Sequence, residues 1–169
     1  VAGGAFQQGL TPLSMMAAPS FNDAFVREGF ALAPLFTSGS MYLMAFVAPY
    51  EAETAGHATM RATFSAMGID SANTFLVAGW ASQHHLKGVL EAANKGGDLT
   101  RAGIRRAAGS VYVDSDGMMP QRELGQNRAD AESFIAVPDG TIGSGVKLLA
   151  GNYVGPSAGG YDWESGPCS

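Results

Sequence analysis

The feature that most restricts the fold is the run from Asn73 to Gly109, NTFLVAGWASQHHLKGVLEAANKGGDLTRAGIRRAAG. Leu76, Trp80, Gln83, Leu86, Leu90 and Ala93 recur three or four residues apart, with Val89 beside them. That is the spacing of one helix face. Ser71 or Asn73 can cap the start. Lys95-Gly96-Gly97 places a cation in the last turn and then a glycine stop. Thr100 is placed to cap a second helix, with Ala102, Ile104, Ala107 and Ala108 turned inward until Gly109. Arg101, Arg105 and Arg106 then form a solvated face. A long amphipathic helix draws most of its stability from the surface it packs on, so it needs a sheet beneath it, much of which is expected outside this sequence.

The preceding chain alternates strand and helix. Ala2, Phe6 and Gly9 look like the end of a helix stopped by glycine. Leu10 to Ala17 is nearly all apolar, as in a strand covered on both faces, with Pro12 at its start. Ala18-Pro19-Ser20 breaks the strand. Ser20 can cap a helix carrying Phe21, Ala24, Phe25, Phe30 and Leu32, ending before Pro34. A second strand lies within 36–49, with Met41, Leu43, Ala45 and Val47 on one face and Tyr42, Met44 and Phe46 on the other. Thr54 caps a further helix with Met60, Phe64 and Met67 on one side, closed by Gly68. This order predicts an α/β layered fold with a mostly parallel sheet. Beyond Gly109 the pattern turns to β and turn: a short strand at Val111-Tyr112-Val113, a turn at Asp114-Ser115-Asp116-Gly117, and an irregular polar stretch to Ala131. A hairpin of 133–137 with 145–153 follows, joined through Pro138-Asp139-Gly140. A Gly/Ser-rich tail carries Tyr161 and Trp163.

Several function classes are excluded or disfavoured. The 169 residues carry a net charge of −5, and no basic cluster exists beyond Arg101, Arg105 and Arg106, so no nucleic-acid partner is expected. The longest apolar runs fall far short of the ~20 residues that span a bilayer. The single cysteine, Cys168, cannot form a disulfide within this chain. It is read as a tail thiol, or as half of a bridge to a part of the protein outside this sequence. The chain opens on Val-Ala-Gly-Gly with no initiator Met and no signal-peptide pattern. An opening inside a helix is expected of a piece of something longer.

No strong catalytic or metal motif is present, and neither a cofactor nor a metal is expected. Asp114, Asp116 and Gly117 supply only part of a calcium loop, and a turn is the better reading. Gly140, Gly143 and Gly145 lack the helix that a phosphate-cradling loop requires. His84 and His85 are neighbours about 100° apart on a helix, so they do not readily share a metal, and His57 is distant in sequence. The serines lack a Gly-x-Ser-x-Gly elbow, and the carboxylates are unpaired. Two loops remain of interest, Ala18-Pro19-Ser20-Phe21 and Ala48-Pro49-Tyr50-Glu51. Each follows the carboxyl end of a buried strand, where ligands bind in open α/β sheets. Ala18, Ser20, Phe21 and Tyr50 are the candidate ligand-binding residues: Ser20 offers a hydroxyl, Phe21 and Tyr50 aromatic walls. Capping and packing are the competing explanations for the same residues.

The phrases GLTPLSMMAAPSF, APYE, AGWASQHHLKGVLEAANKGGDLTRAGIRRAAGSV, VDSDGMMP and VPDG occur in that order. Together they resemble the C-terminal portion of type I periplasmic solute-binding proteins of ABC transporters, the branched-chain amino acid receptor group. The resemblance implies a two-lobed receptor, a Venus flytrap that closes over a small solute and delivers it to an ABC permease. It implies residues 1–47 ending the second lobe, 48–54 crossing at the hinge, 55–110 forming helices of the first lobe, and 111–169 returning as a β-rich segment and tail. It further implies export to the periplasm or cell surface, no catalysis, and membrane contact only through the transporter or a lipid anchor elsewhere in the protein. The Ala18–Phe21 loop would face the cleft, with Tyr50 at its hinge edge. Amino-acid-binding members place an acidic residue near the first of these loops. Ala17-Ala18-Pro19-Ser20 has none, which leaves room for a less polar or aromatic solute, or an amide. The rival readings are a ligand-sensing regulatory domain of the same fold and a small α/β hydrolase.

Overall fold

A computed structural model of the chain describes residues 2–120, 122–123 and 132–156. Cys168, Tyr161, Trp163 and most of the polar stretch before the hairpin lie outside them. Helix α1 (Ala2–Gln7) leads to strand β1 (Ser14–Ala17), two 3-10 turns (Ala18–Ser20 and Asp23–Val26), α2 (Ala33–Phe36) and β2 (Met41–Ala45). Three helices follow, α3 (Ala55–Ala66), α4 (Thr74–Lys95) and α5 (Arg101–Ala107). Then come β3 (Tyr112–Val113), β4 (Arg122–Glu123), β5 (Glu132–Pro138) and β6 (Val146–Val154).

The α/β class predicted from the sequence is the observed one. The main sheet has the order β1-β2-β5-β6, in which β1 and β2 are parallel and the β5–β6 hairpin joins antiparallel. The sheet is therefore mixed, not mostly parallel. A tight hairpin must run antiparallel, and β5 is the strand that borders β2. Alternation along the strands turns Met41, Leu43, Ala45, Phe134, Ala136 and Val146 to the buried face. The opposite face leaves Met15, Met44, Phe46 and Leu149 exposed.

The helical half follows its local signals closely. The side chain of Thr54 accepts from the His57 amide, that of Asn73 from Leu76, and that of Thr100 from Gly103. These are the three N-caps expected from their residue types. Val47, Tyr50, Met60, Phe64, Val77, Ala81, Met118 and Met119 form one core, with Trp80 edge-on to Phe64 at 5.6 Å. Two details differ from the sequence pattern. The buried face of α4 runs through Val77, Ala81, Val89 and Ala93, leaving Leu76, Leu86 and Leu90 exposed. Met67 and Ala102 also face solvent, whereas Gly103 is buried.

The helix expected from Ser20 to the residues before Pro34 does not form. The spacing of Phe21 and Phe25 is helical, but Asn22, not Ser20, is the cap, and it closes only a 3-10 turn. Gly29 then turns the chain at φ 89°, a conformation glycine adopts without steric cost. Pro34 starts α2 instead of ending a helix, because proline's missing N–H is harmless in a first turn. Phe21, Phe25 and Phe36 pack instead on the buried face of the sheet, and Phe30 stacks on Phe25, with Phe25 5.2 Å from Phe30 and 5.0 Å from Phe36. Beyond Gly109, β3 pairs with β4, which falls in a stretch whose composition reads as irregular.

Candidate functional site

Two segments of chain meet beside the helical core: the one that runs from β2 to α3, and the loop 114–120 between β3 and β4. They lie against each other: the Ala48 amide donates to the Met118 carbonyl at 2.9 Å, and the Gly56 amide to the Asp116 carbonyl at 3.0 Å. The fit is close, since a Cβ on Gly56 would lie 2.5 Å from the Met118 side chain and 2.8 Å from the Ser115 carbonyl oxygen. Asp114 folds its turn by accepting from the Asp116 amide. Among the described residues no group of three or more His, Cys, Asp or Glu is placed to hold a metal ion.

The first of these segments is held from several sides. Arg61 donates through Nη1 to the carbonyls of Tyr50 and Ala52, both at 2.9 Å, and through Nη2 to Glu53 at 3.3 Å. Glu51 accepts from both the amide and the hydroxyl of buried Ser144, at 3.0 and 2.5 Å. Arg27 donates to the carbonyls of Gly140, Ile142 and Gly143, seating the hairpin loop on the 23–27 turn. His57 is fully buried, and burial holds its imidazole below the usual histidine range. Both its ring nitrogens are taken, by Thr54 and the Ala48 carbonyl.

At the carboxyl ends of β1 and β2 a cavity of about 10 Å³ lies between the sheet and the first turn of α4. Ala18, Ala45, Val47, Pro49 and Thr74 are on its wall. A space this size holds at most one water, and its wall is apolar apart from Thr74. Of the four residues singled out by sequence, Ala18 lines it. Ser20 is exposed on the same loop. Phe21 is buried in the phenylalanine cluster, and Tyr50 in the core of the helical half, where its hydroxyl donates to the Asp70 carbonyl at 3.4 Å. The position of Ala18 beyond a strand's carboxyl end is readable in the sequence; that of Thr74 is not, since it sits on a helix whose approach is set by tertiary packing.

The architecture is a mixed α/β sheet flanked by helices that matches part of a substrate-binding-protein fold. The likeness is to the fatty acid ABC transporter substrate-binding protein from Thermomonospora curvata, with a TM-score of 0.79 and 20% sequence identity over 95% of this chain. The chain spans 41% of that protein's length. No protein-family model matches the chain, and no curated protein matches it in sequence.

Proposed function

We propose that the chain is part of an exported solute-binding receptor that captures a small organic solute between two lobes and passes it to an ABC permease. The observation that carries this reading is the likeness in fold across 95% of the chain to a transporter's substrate-binding protein. In this reading 1–47 belongs to one lobe, 48–54 is a hinge crossing, 55–110 belongs to the other lobe, and 111–169 returns across the hinge. The resemblance to the branched-chain receptor group belongs to the same proposal, as do the periplasmic or cell-surface location and the absence of catalysis. Hinge closure would then be biased by whatever the solute touches in the closed form only.

Two open apolar surfaces and one open strand edge support the view that more polypeptide packs here. One is the α4 stripe of Leu76, Leu86 and Leu90. The second is the sheet face of Met15, Met44, Phe46 and Leu149, and the third is the outer edge of β1, unpaired among the described strands. The rest of the receptor is the occupant that fits a chain spanning 41% of its structural neighbour.

The solute is predominantly apolar. The loop Ala17-Ala18-Pro19-Ser20 after β1 offers no carboxylate to meet an ammonium group, and both carboxylate oxygens of Glu51 are engaged by Ser144. The neighbour's name, a fatty acid transporter's binding protein, points the same way. Ser20 supplies a hydroxyl and Ala18 an apolar contact, while Phe21 and Tyr50 act from beneath, by holding the two loops. Calorimetric titration of the complete receptor with octanoate, phenylacetamide and leucine tests this. Binding of either of the first two, with leucine silent, is expected. Leucine as the sole binder would overturn the solute class, and tight binding by the 169-residue chain alone would overturn the shared-site view.

A further inference from the structure

His57 is the most thoroughly buried titratable group in the described structure, with no exposed surface, and no solute-binding role accounts for it. It sits in the first turn of α3, yet its ring reaches back nine residues to the end of the β2 segment. Nε2 lies 3.2 Å from the Ala48 carbonyl oxygen and Nδ1 2.7 Å from the Thr54 hydroxyl. A carbonyl can only accept, so Nε2 carries the hydrogen. Nδ1 is then the acceptor for the Thr54 hydroxyl, whose oxygen also accepts from the His57 amide at 3.3 Å. The neutral ring thus satisfies both neighbours at once. Ala48 is the residue whose amide reaches across to Met118, so the ring holds the point where the segment after β2 meets the β3–β4 loop.

We propose that neutral His57 is a clasp that fixes the segment after β2 to α3 where it meets the β3–β4 loop, and that acid opens it. A second proton would sit on Nδ1 and point at the Thr54 oxygen, leaving the hydroxyl hydrogen without its acceptor and placing a charge where water does not reach. The charged groups around it do not compensate. Arg61, one turn along α3, opposes a second positive charge; Glu51 and Glu53 on the first segment favour it, and Asp114 and Asp116 lie on the facing turn. Burial is the largest influence and lowers the folded-state value. The sign follows. The clasp's contribution is complete above the ordinary histidine range and is lost as pH falls through the lowered folded-state value. The clasp needs no solute; only its consequence for lobe closure rests on the receptor reading above.

Amide hydrogen exchange at Ala48 and Gly56, each relative to its unstructured rate, measures the clasp directly. Between about pH 7 and about pH 5 the wild-type protection of both amides is expected to fall about fivefold. In His57→Gln, whose amide can still donate to the Ala48 carbonyl but does not titrate, it is expected to stay within about twofold. An equal acid loss in His57→Gln would assign the effect to the carboxylates and overturn the proposal. Should that variant not fold, the wild-type ring decides by nitrogen-15 resonance. A neutral Nε2–H form persisting below the ordinary histidine range supports the clasp, and titration at the ordinary value overturns it. Neither readout involves solute, so its failure is distinct from failure of the receptor reading.

Discussion

The helical half and the sheet half obey different kinds of instruction. In α3, α4 and α5 the start signals are local: Thr54, Asn73 and Thr100 each cap the helix that follows them. Between β1 and β2 local signals are outvoted. Phe21 and Phe25 have helical spacing, yet the chain folds into 3-10 turns so that Phe21, Phe25 and Phe36 can pack on the sheet. A cap or a glycine stop acts over one turn of helix. An aromatic cluster is a sum over residues from separate turns and has no signature at any one spacing.

If the two halves nonetheless form one cooperative unit, a large cavity in either must be felt in both. Met60→Ala empties the helical core and Leu43→Ala the sheet core; both side chains are almost fully buried. Each is expected to cost about 2–5 kcal/mol. With Trp163 replaced by Phe, Trp80 fluorescence reports the helical half during urea unfolding. Both variants should shift the Trp80 midpoint, because Arg61, Glu51 and His57 tie the segment after β2 to its neighbours. A Trp80 midpoint that moves with Met60→Ala and ignores Leu43→Ala would split the molecule into independent halves.

The same contrast predicts unequal caps. Asn73 starts a 22-residue helix, whereas Asn22 closes a four-residue 3-10 turn already held by Arg27 and the phenylalanines. Asn73→Ala is expected to cost about 1 kcal/mol, and Asn22→Ala about 0.5 kcal/mol. Chemical denaturation of the two variants checks the order, and a reversed order would mean that local capping governs the sheet half as well.

Legibility follows the same division. The α/β class, three caps, the hairpin and the turn at Asp114 are all set by residues near one another in sequence, and all are readable there. The pairing of β4 with β3 is not, because a two-residue strand is defined by its partner alone. At the seam, Ala18 was accessible through its place after a buried strand, and Thr74 was not. That His57 reaches Ala48 is not readable, because Ala48 contributes a backbone carbonyl, which no sequence pattern marks.

The smallest expected effect concerns α4, where the apolar stripe of the sequence and the buried face differ. The sequence stripe of α4 runs through Leu76, Leu86 and Leu90, but these are 47%, 52% and 38% exposed, while Val77, Ala81, Val89 and Ala93 are buried. A helix apolar on two faces is one that packs on two sides. One side is covered by α3, α5, β3, the 3-10 turn after β1 and the loop carrying Met118 and Met119, and the leucine side is exposed. Replacing Leu86 and Leu90 with Gln should therefore leave the stability of the 169-residue chain within about 0.5 kcal/mol. In the complete receptor proposed above, the same pair should cost more, about 2 kcal/mol or above, since each leucine would then lose a buried apolar environment. Thermal or urea unfolding of both forms makes the comparison. Equal, small effects in the two would mean that the stripe stays in water, and that the rest of the receptor packs on the open sheet face alone.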